Sequence, residues 1–190
     1  ASGIDYQDHR QPEQTGERCA AVVPVQRHAV VEAFVALDHA DVGAAGVAGY
    51  NALALDFLSP LGGTPANEDE ARALFSKLDA AQSVANGRAA LAYLKALPNS
   101  NGKVGTVGFC WGGAMANQLA VHAPDLNAAV SFYGMAPDTA LVPEIKAHVQ
   151  LHYAGLDERI NASREAYEAA LKAAGVEFES YLYEGKQHAF

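Results

Sequence analysis

The chain has 190 residues, of which 50% are hydrophobic and 18% are charged. This composition is typical of one globular domain with a substantial core, and it excludes a disordered or fibrous chain. The 13 basic and 22 acidic residues give a formal net charge of -9, which argues against nucleic-acid binding and against docking on an anionic membrane.

Cysteine usage and hydropathy narrow the class further. The two cysteines, Cys19 and Cys110, exclude a disulfide framework and a four-cysteine zinc site and leave at most one bridge. The longest charge-free run, between Lys103 and Asp125, holds too many glycines and polar residues for a membrane span. No signal peptide opens the chain, so we expect a cytoplasmic protein. A processed exported form is the alternative, because residue 1 is Ala rather than Met.

The first half of the chain predicts short strands, loops and two clear helices. Residues 1–18 are polar and predict a loop or a poorly ordered arm. The segments that follow are, in chain order, strands over residues 19–25 and 29–31, a glycine-weakened helix over 38–48, a strand over 52–55, a proline- and glycine-rich loop over 59–65, and helices over 68–78 and 84–97.

The second half alternates apolar strands with helices. Strands are predicted over residues 103–107, 128–133, 149–153 and 178–183, and helices over 114–123 and 163–174. Such alternation is typical of parallel sheets covered by helices. We therefore predict a single α/β domain over residues 1–190, with a mainly parallel sheet and helices on both faces.

The sharpest motif is Gly108-Phe-Cys110-Trp-Gly112-Gly113, which lies between a predicted strand and a predicted helix. It has the form of a nucleophile elbow with Cys in place of Ser. A nucleophile on so tight a turn needs neighbours without side chains, and the helix that follows favours negative charge at its N-terminus. The N–H of Trp111 is then placed to donate to an oxyanion. The alternative is a buried structural cysteine in a glycine-rich turn.

An elbow of this kind needs an acid and a histidine further along the chain. Asp157 follows the predicted strand over residues 149–153, and His188 follows the last strand. Each interval leaves room for a helix and a strand, so both residues would reach the edge of the sheet that holds Cys110. Asp157 would orient the imidazole, and His188 would accept the thiol proton. Taken alone, Asp157 would be a helix cap and His188 a surface histidine.

The chain resembles the dienelactone hydrolase (carboxymethylenebutenolidase-like) branch of the α/β-hydrolases. The resemblance covers roughly residues 49–190, and the stretches that carry it are residues 58–65, 101–113, 131–134, 153–157 and 183–190. It implies an α/β-hydrolase fold and a Cys–His–Asp triad that falls on Cys110, His188 and Asp157. It also implies hydrolysis of a small ester or lactone without a metal or organic cofactor.

The same resemblance implies a further pair of site residues upstream. Glu32 would hold the resting cysteine, and the N–H of Ala33 would be the second oxyanion donor. The chain departs from the family here, because Val35-Ala36 stand where the family has a glycine soon after that glutamate. It also stops two residues after His188, where the family continues into a closing helix. One of the family's substrate-binding arginines would lie past Phe190, and the other has no convincing match, although Arg72 is nearby in sequence.

Three smaller features favour structural roles. His148 and His152 lie four apart on a predicted strand, but no third ligand with suitable spacing accompanies them, so we expect no metal site. The glycine pairs at residues 43–46 and 62–63 lack the lysine of a phosphate loop. Trp111, Phe132 and Tyr133 are predicted core residues, with Trp111 also a candidate wall of a substrate pocket.

These observations predict a cysteine-dependent hydrolase acting on small-molecule esters or lactones, as a monomer or small homo-oligomer. One alternative is a thioesterase or acyl transferase on the same triad. Another is an inactive hydrolase scaffold that binds a ligand. A redox role for Cys110 would need Cys19 as the resolving cysteine.

Overall fold

The computed structural model describes strands Val22–Val23 and Val31–Ala36, for which only the backbone is described, and residues 51–98 and 100–190. The predicted arm over residues 1–18 and the predicted helix over residues 38–48 lie outside this part of the chain. No helix in the described part is long and apolar enough to cross a membrane.

The described residues form seven strands and five α-helices. The strands are β1 (Val22–Val23), β2 (Val31–Ala36), β3 (Asn51–Ala54), β4 (Ser100–Phe109), β5 (Ala128–Phe132), β6 (His148–Ala154) and β7 (Phe178–Tyr183). The helices are α1 (Glu68–Phe75), α2 (Ala80–Ala96), α3 (Trp111–His122), α4 (Glu158–Asn161) and α5 (Arg164–Ala174). Two 3-10 helices cover Ser59–Leu61 and Thr139–Glu144.

All seven strands belong to one sheet, in the order β1-β3-β2-β4-β5-β6-β7. The pair β1 and β3 is antiparallel, and every other pair is parallel. The prediction of an α/β fold with a mainly parallel sheet is therefore confirmed. Because the strands are parallel, the turns that follow β4, β5, β6 and β7 all meet at one edge of the sheet. That edge is called the carboxyl edge below.

The core lies between the sheet and helices α2, α3 and α5. Alternate side chains of the central strands point to the same face of the sheet and are buried, as expected from the two-residue period of a strand. They pack against Leu94 of α2, Leu119 of α3 and Leu171 of α5, each of which is fully buried. The strand residues in this layer are Val104, Ala129, Val149, Leu151 and Tyr153. This layer packs against α3, the helix that begins at the glycine-rich motif.

Element boundaries differ from the predicted ones where capping or pairing decides them. Helix α2 begins at Ala80 rather than residue 84, because the Asp79 carboxylate accepts the N–H of Gln82 at 2.7 Å and caps it. Strand β2 runs from Val31 to Ala36, beyond the predicted end at residue 31, because it pairs with β3 and β4 on its two sides. Strand β4 extends at both ends of the predicted residues 103–107 for the same reason.

Candidate active site

Cys110 occupies the turn between β4 and α3, at the carboxyl edge. Its backbone has φ 54° and ψ -115°, a strained conformation for a residue with a side chain. Strain of this kind persists only where surrounding contacts impose it. The turn leaves the Cys110 side chain exposed instead of buried in the core.

The glycines of the motif are required by close backbone packing. A Cβ added to Gly108 would lie 2.1 Å from the carbonyl oxygen of Gly112, and one added to Gly113 would lie 2.5 Å from that of Phe132. Both distances are far inside van der Waals contact. The first turn of α3 is thus pressed against β4 and against the end of β5.

Backbone bonds fix the turn, and the N–H of Trp111 is not used by them. The N–H of Ala114 donates to the carbonyl of Cys110 at 3.1 Å. The N–H of Cys110 donates to the carbonyl of Phe132 at 3.0 Å. Trp111 is the first residue of α3, so its N–H has no partner within the helix. That N–H lies next to Cys110 at the positive end of the helix, where negative charge is stabilised.

Asp157 lies on the turn after β6 and is almost buried, with 8% of its surface exposed. One carboxylate oxygen, Oδ1, accepts the N–H of Ile160 at 3.2 Å and so caps α4. The helix-cap role weighed for this residue is therefore present. The other oxygen, Oδ2, is left to face His188.

His188 joins the cysteine to the acid. Its Nδ1 lies 2.5 Å from Asp157 Oδ2, and its Nε2 lies 3.1 Å from Cys110 Sγ. A proton on Nδ1 donates to the carboxylate, which leaves Nε2 to accept the thiol proton. The structure thus brings together the three residues on which the predicted triad falls, from positions 47 and 31 residues apart in the sequence.

Aromatic rings surround the histidine and the turn. The ring of Tyr133 lies 4.9 Å from that of His188 and 5.5 Å from that of Phe190. On the other side, Trp111 makes edge contacts with Phe57 at 5.0 Å and Phe75 at 5.3 Å. Tyr133 is buried, whereas Trp111 and Phe132 are only half-buried, so the predicted core role fits Tyr133 best.

A groove of about 530 Å³ begins beside Trp111 and runs along the flank of α3. Its walls come from the end of α1, the start of α2 and the outer face of α3, and the triad residues are not among them. Trp111 thus lines a groove that lies beside Cys110 and not above it, and its role as the wall of a substrate pocket stays a prediction.

The structure does not bring Ala33 to the turn that holds Cys110. In β2, Ala33 pairs with Val104 of β4, whereas Cys110 follows Phe109 at the end of that strand. Cys110 lies six residues beyond Val104, and six residues of a strand span about 20 Å. Glu32 precedes Ala33 in the same strand, and its side chain is outside the described part. The roles predicted for Glu32 and Ala33 gain no support from this register.

The two histidines of β6 have separate surroundings. His148 is exposed and lies 3.8 Å from the Glu177 carboxylate. His152 is buried, its ring stacked on Phe132 at 4.1 Å, and its two nitrogens contact Tyr183 Oη and Gln150 Oε1. Burial lowers the pKa of His152. The described residues contain no group of three or more His, Cys, Asp or Glu side chains that would hold a metal.

Two buried polar residues near the turn were missed by sequence reasoning. Ser131 and Asn117 lie between β5 and α3 and hydrogen-bond to each other at 3.2 Å. The stretch 131–134 carries part of the family resemblance, but nothing in its pattern indicated where the serine hydroxyl would point. Cys19, the other half of the predicted redox pair, lies outside the described residues.

The family model and the curated relatives that match this chain belong to the same family. The model of the dienelactone hydrolase family matches residues 13–190, so the similarity begins well before residue 49, where the resemblance was expected to start. A carboxymethylenebutenolidase of Pseudomonas putida is 32% identical over 124 residues, which are 64% of this chain and 52% of that protein. The chain thus spans about half the length of the curated relatives it matches.

Solved structures share the fold. A Klebsiella pneumoniae protein assigned as a dienelactone hydrolase superposes with a TM-score of 0.72 at 23% identity, over 88% of this chain and 79% of that one. A dienelactone hydrolase-like promiscuous phosphotriesterase, P91, from metagenomic libraries gives 0.68 at 22% identity, over 84% and 72%. Together with the match over residues 13–190, this fold shows that the chain belongs to the dienelactone hydrolase family.

Proposed function

We propose that this chain is a cysteine-dependent hydrolase of small esters or lactones that works through an acyl-enzyme. The observation that carries the proposal is the position of His188, whose two ring nitrogens lie 3.1 Å from Cys110 Sγ and 2.5 Å from Asp157 Oδ2. An imidazole held between a nucleophile and a carboxylate is the arrangement that activates a thiol. Family membership supports the same class of reaction.

Acylation follows from this geometry. His188 Nε2 takes the proton of the Cys110 thiol while Sγ forms a bond to the carbonyl carbon of the substrate. The oxyanion of the tetrahedral intermediate accepts a hydrogen bond from the Trp111 N–H. The intermediate then collapses, the ester C–O bond breaks, and His188 gives its proton to the leaving oxygen. The Asp157 carboxylate stabilises the imidazolium in between.

Deacylation reverses these roles. A water molecule loses a proton to His188 Nε2 as its oxygen attacks the thioester carbon. The second tetrahedral intermediate breaks its C–S bond, the carboxylic acid leaves, and the proton on His188 returns to the thiolate. The sum is ester plus water to acid plus alcohol, and with a lactone the two products are one ring-opened molecule. The nucleophile, base and orienting acid all come from the chain itself.

The choice of nucleophile limits the substrates. A thiolate is a good nucleophile but also a good leaving group, so the first intermediate returns to substrate unless the departing oxygen is also a good leaving group. Phenyl esters and enol lactones satisfy this condition, and amides do not. We therefore propose activated small esters and enol lactones as the substrate class.

The test compares wild type with Cys110→Ala on 4-nitrophenyl acetate and on an unsubstituted enol lactone. We expect the variant to lose nearly all catalysed rate, about 10³-fold or more, as when a nucleophile is removed from other triads. Cys19→Ala, which removes the other cysteine, is the matched control and should keep the wild-type rate. An intact-mass shift on Cys110 after brief mixing with substrate would identify the acyl-enzyme. A folded wild type without turnover, or an active Cys110→Ala, would overturn the proposal.

A further inference from the structure

Two buried side chains outside the triad connect helix α3 to strand β5. Ser131 of β5 and Asn117 of α3 are 2% and 1% exposed. The Ser131 hydroxyl donates to the carbonyl of Gly113 at 2.9 Å, and the Asn117 amide nitrogen donates to Ser131 Oγ at 3.2 Å. The same nitrogen also donates to the carbonyl of Met135 at 3.0 Å. This set of three hydrogen bonds is called the Ser131–Asn117 brace.

The brace acts on the turn that carries the oxyanion donor. One of its acceptors, the carbonyl of Gly113, lies two residues after Trp111 in the first turn of α3. Nearby, a Cβ added to Gly134 would come within 2.2 Å of the Gly113 carbonyl carbon, so the helix start is in close contact with the loop that follows β5. The brace therefore ties the Gly113 carbonyl, two residues from Trp111 in the first turn of α3, to β5.

Buried polar groups reduce stability wherever their hydrogen bonds are left unsatisfied. The Asn117 Oδ1 atom is buried and has no hydrogen-bond partner among the described residues, so this amide is held through its donors alone. An apolar side chain would fill the same space without leaving an unpaired oxygen. An apolar residue at either position would not fix the direction of the backbone N–H at the start of α3, because hydrophobic contacts are not directional.

We propose that Ser131 and Asn117 are positioning residues that aim the Trp111 N–H at the oxyanion. The inference rests on the proposed function, since it assigns a role within the acylation step. Oxyanion donors act only when they lie within about 2.7–3.1 Å of the developing charge, so a small displacement of the helix start reduces their effect. Removing the brace should then slow carbonyl chemistry more than it changes the thiol itself.

The test separates two reactions of the same cysteine. Hydrolysis of 4-nitrophenyl acetate passes through an oxyanion, whereas alkylation of Cys110 by iodoacetamide displaces iodide and forms none. For Ser131→Ala we expect kcat for the ester to fall about 10-fold or more, since removal of a whole donor costs about 10²–10³-fold. KM and the iodoacetamide rate should stay within about twofold of wild type. A small trifluoromethyl ketone, which forms a tetrahedral adduct on Sγ, should bind more weakly by a factor similar to the loss in kcat.

The matched control is Ser180→Ala, which removes the hydroxyl of another strand serine, half-buried, that donates to Glu168 Oε1 at 2.5 Å. Ser180 lies on β7 outside the groove and the triad, and its substitution should leave all three measurements unchanged. Asn117→Leu provides a second variant of the brace, with an apolar side chain of similar size, and should show the same separation if Ser131→Ala fails to fold.

Two results would overturn the inference while leaving the proposed function intact. One is unchanged ester kinetics in Ser131→Ala and Asn117→Leu. The other is a parallel loss of hydrolysis and alkylation, which would mean that the brace only supports the fold of the turn. Failure of the proposed function gives a different result, since wild type would then show no Cys110-dependent hydrolysis at all.

Discussion

The backbone N–H of Leu156 donates to the carbonyl of Lys186 at 2.9 Å, which ties the loop before Asp157 to the loop before His188. A second bond, from the N–H of Gly155 to the carbonyl of Tyr183 at 2.9 Å, lies directly beside it. The pairing of β6 with β7 thus continues past the ends of both strands. Main-chain hydrogen bonds therefore set the distance between Asp157 and His188, and the hydrogen bond between their side chains adds to them.

Gly155→Ala tests whether this backbone junction sets the acid–histidine geometry. An added Cβ would lie 3.0 Å from the Tyr183 carbonyl oxygen and 3.1 Å from Glu184 Cα, so the two loops would have to separate slightly. We expect kcat for an activated ester to fall about 10-fold, because misplacement of a catalytic group by a fraction of an ångström is costly. The free energy of unfolding should fall by about 1 kcal/mol, in the lower part of the range for overpacking. An unchanged kcat with a lowered stability would show that the junction matters for folding only.

Asp157→Asn and Asp157→Ala separate the observed cap role of this residue from its proposed role in catalysis. The asparagine keeps an oxygen for the Ile160 N–H and so keeps the cap of α4, but it loses the negative charge beside His188. We expect kcat to fall about 10²–10⁴-fold in both variants, as in other triads without their carboxylate. Chemical denaturation should show that only Asp157→Ala also loses about 1 kcal/mol of stability, the typical value of a helix cap. Equal rates in Asp157→Asn and wild type would mean that this carboxylate does not take part in catalysis.

The turn at Cys110 was predictable from sequence because its requirements are local. The turn fits the end of a strand, a residue in a strained conformation and the start of a helix into six residues. The close approach of the Gly112 and Phe132 carbonyls shows that only glycine fits at positions 108 and 113. The parallel sheet was predictable for a similar reason, since alternating strands and helices have few ways to pack. The sequence also contains a signal for the start of α2. This signal is the capping residue Asp79, which lies outside the apolar periodicity used to predict the helix.

The remaining features depend on pairings between distant parts of the chain. The position of Ala33 opposite Val104 is set by the register of β2 on β4, and a strand pattern alone does not determine register. The Ser131–Asn117 brace joins residues 14 apart through side-chain orientations that no periodicity encodes. The tie between Leu156 and Lys186 consists of backbone groups, which leave no trace in side-chain sequence.

We expect protonation of His152 to lower the free energy of unfolding at acidic pH. Burial lowers its pKa below the ordinary value of 6.5, and the Glu179 carboxylate partly opposes that shift. Around and below pH 6.5 the unfolded chain therefore binds more protons at this residue than the folded chain does. The contribution to stability is complete above pH 6.5 and is lost as the pH falls through 6.5 toward the lower folded value.

His152→Phe removes this titration and keeps an aromatic ring between Phe132 and Tyr181, which stack on His152 at 4.1 Å and 5.2 Å. The exposed Tyr183 hydroxyl, which loses its partner, is free to bond to water. We expect Tm to fall less between pH 7.5 and pH 5 in the variant than in wild type, as measured by calorimetry. An equal fall in the two proteins would show that protonation of His152 does not destabilise the fold.

Gly108→Ala should damage the turn more severely than any other single-methyl addition considered above. Its Cβ would lie 2.1 Å from the Gly112 carbonyl oxygen, and the obstacle is backbone at the start of α3, which has no side chain to move aside. Gly87→Ala is the matched control, because its Cβ would lie 2.8 Å from the end of the flexible Leu119 side chain, at the contact between α2 and α3. In that helix interior, alanine also gains up to about 1 kcal/mol of helix propensity over glycine. We expect Gly108→Ala to lose about 3 kcal/mol or more in urea denaturation, together with nearly all esterase activity. Gly87→Ala should stay within about 1 kcal/mol of wild type with full activity. A stable and active Gly108→Ala would show that the turn tolerates a side chain, and that its tight backbone packing is not what presents Cys110 to substrate.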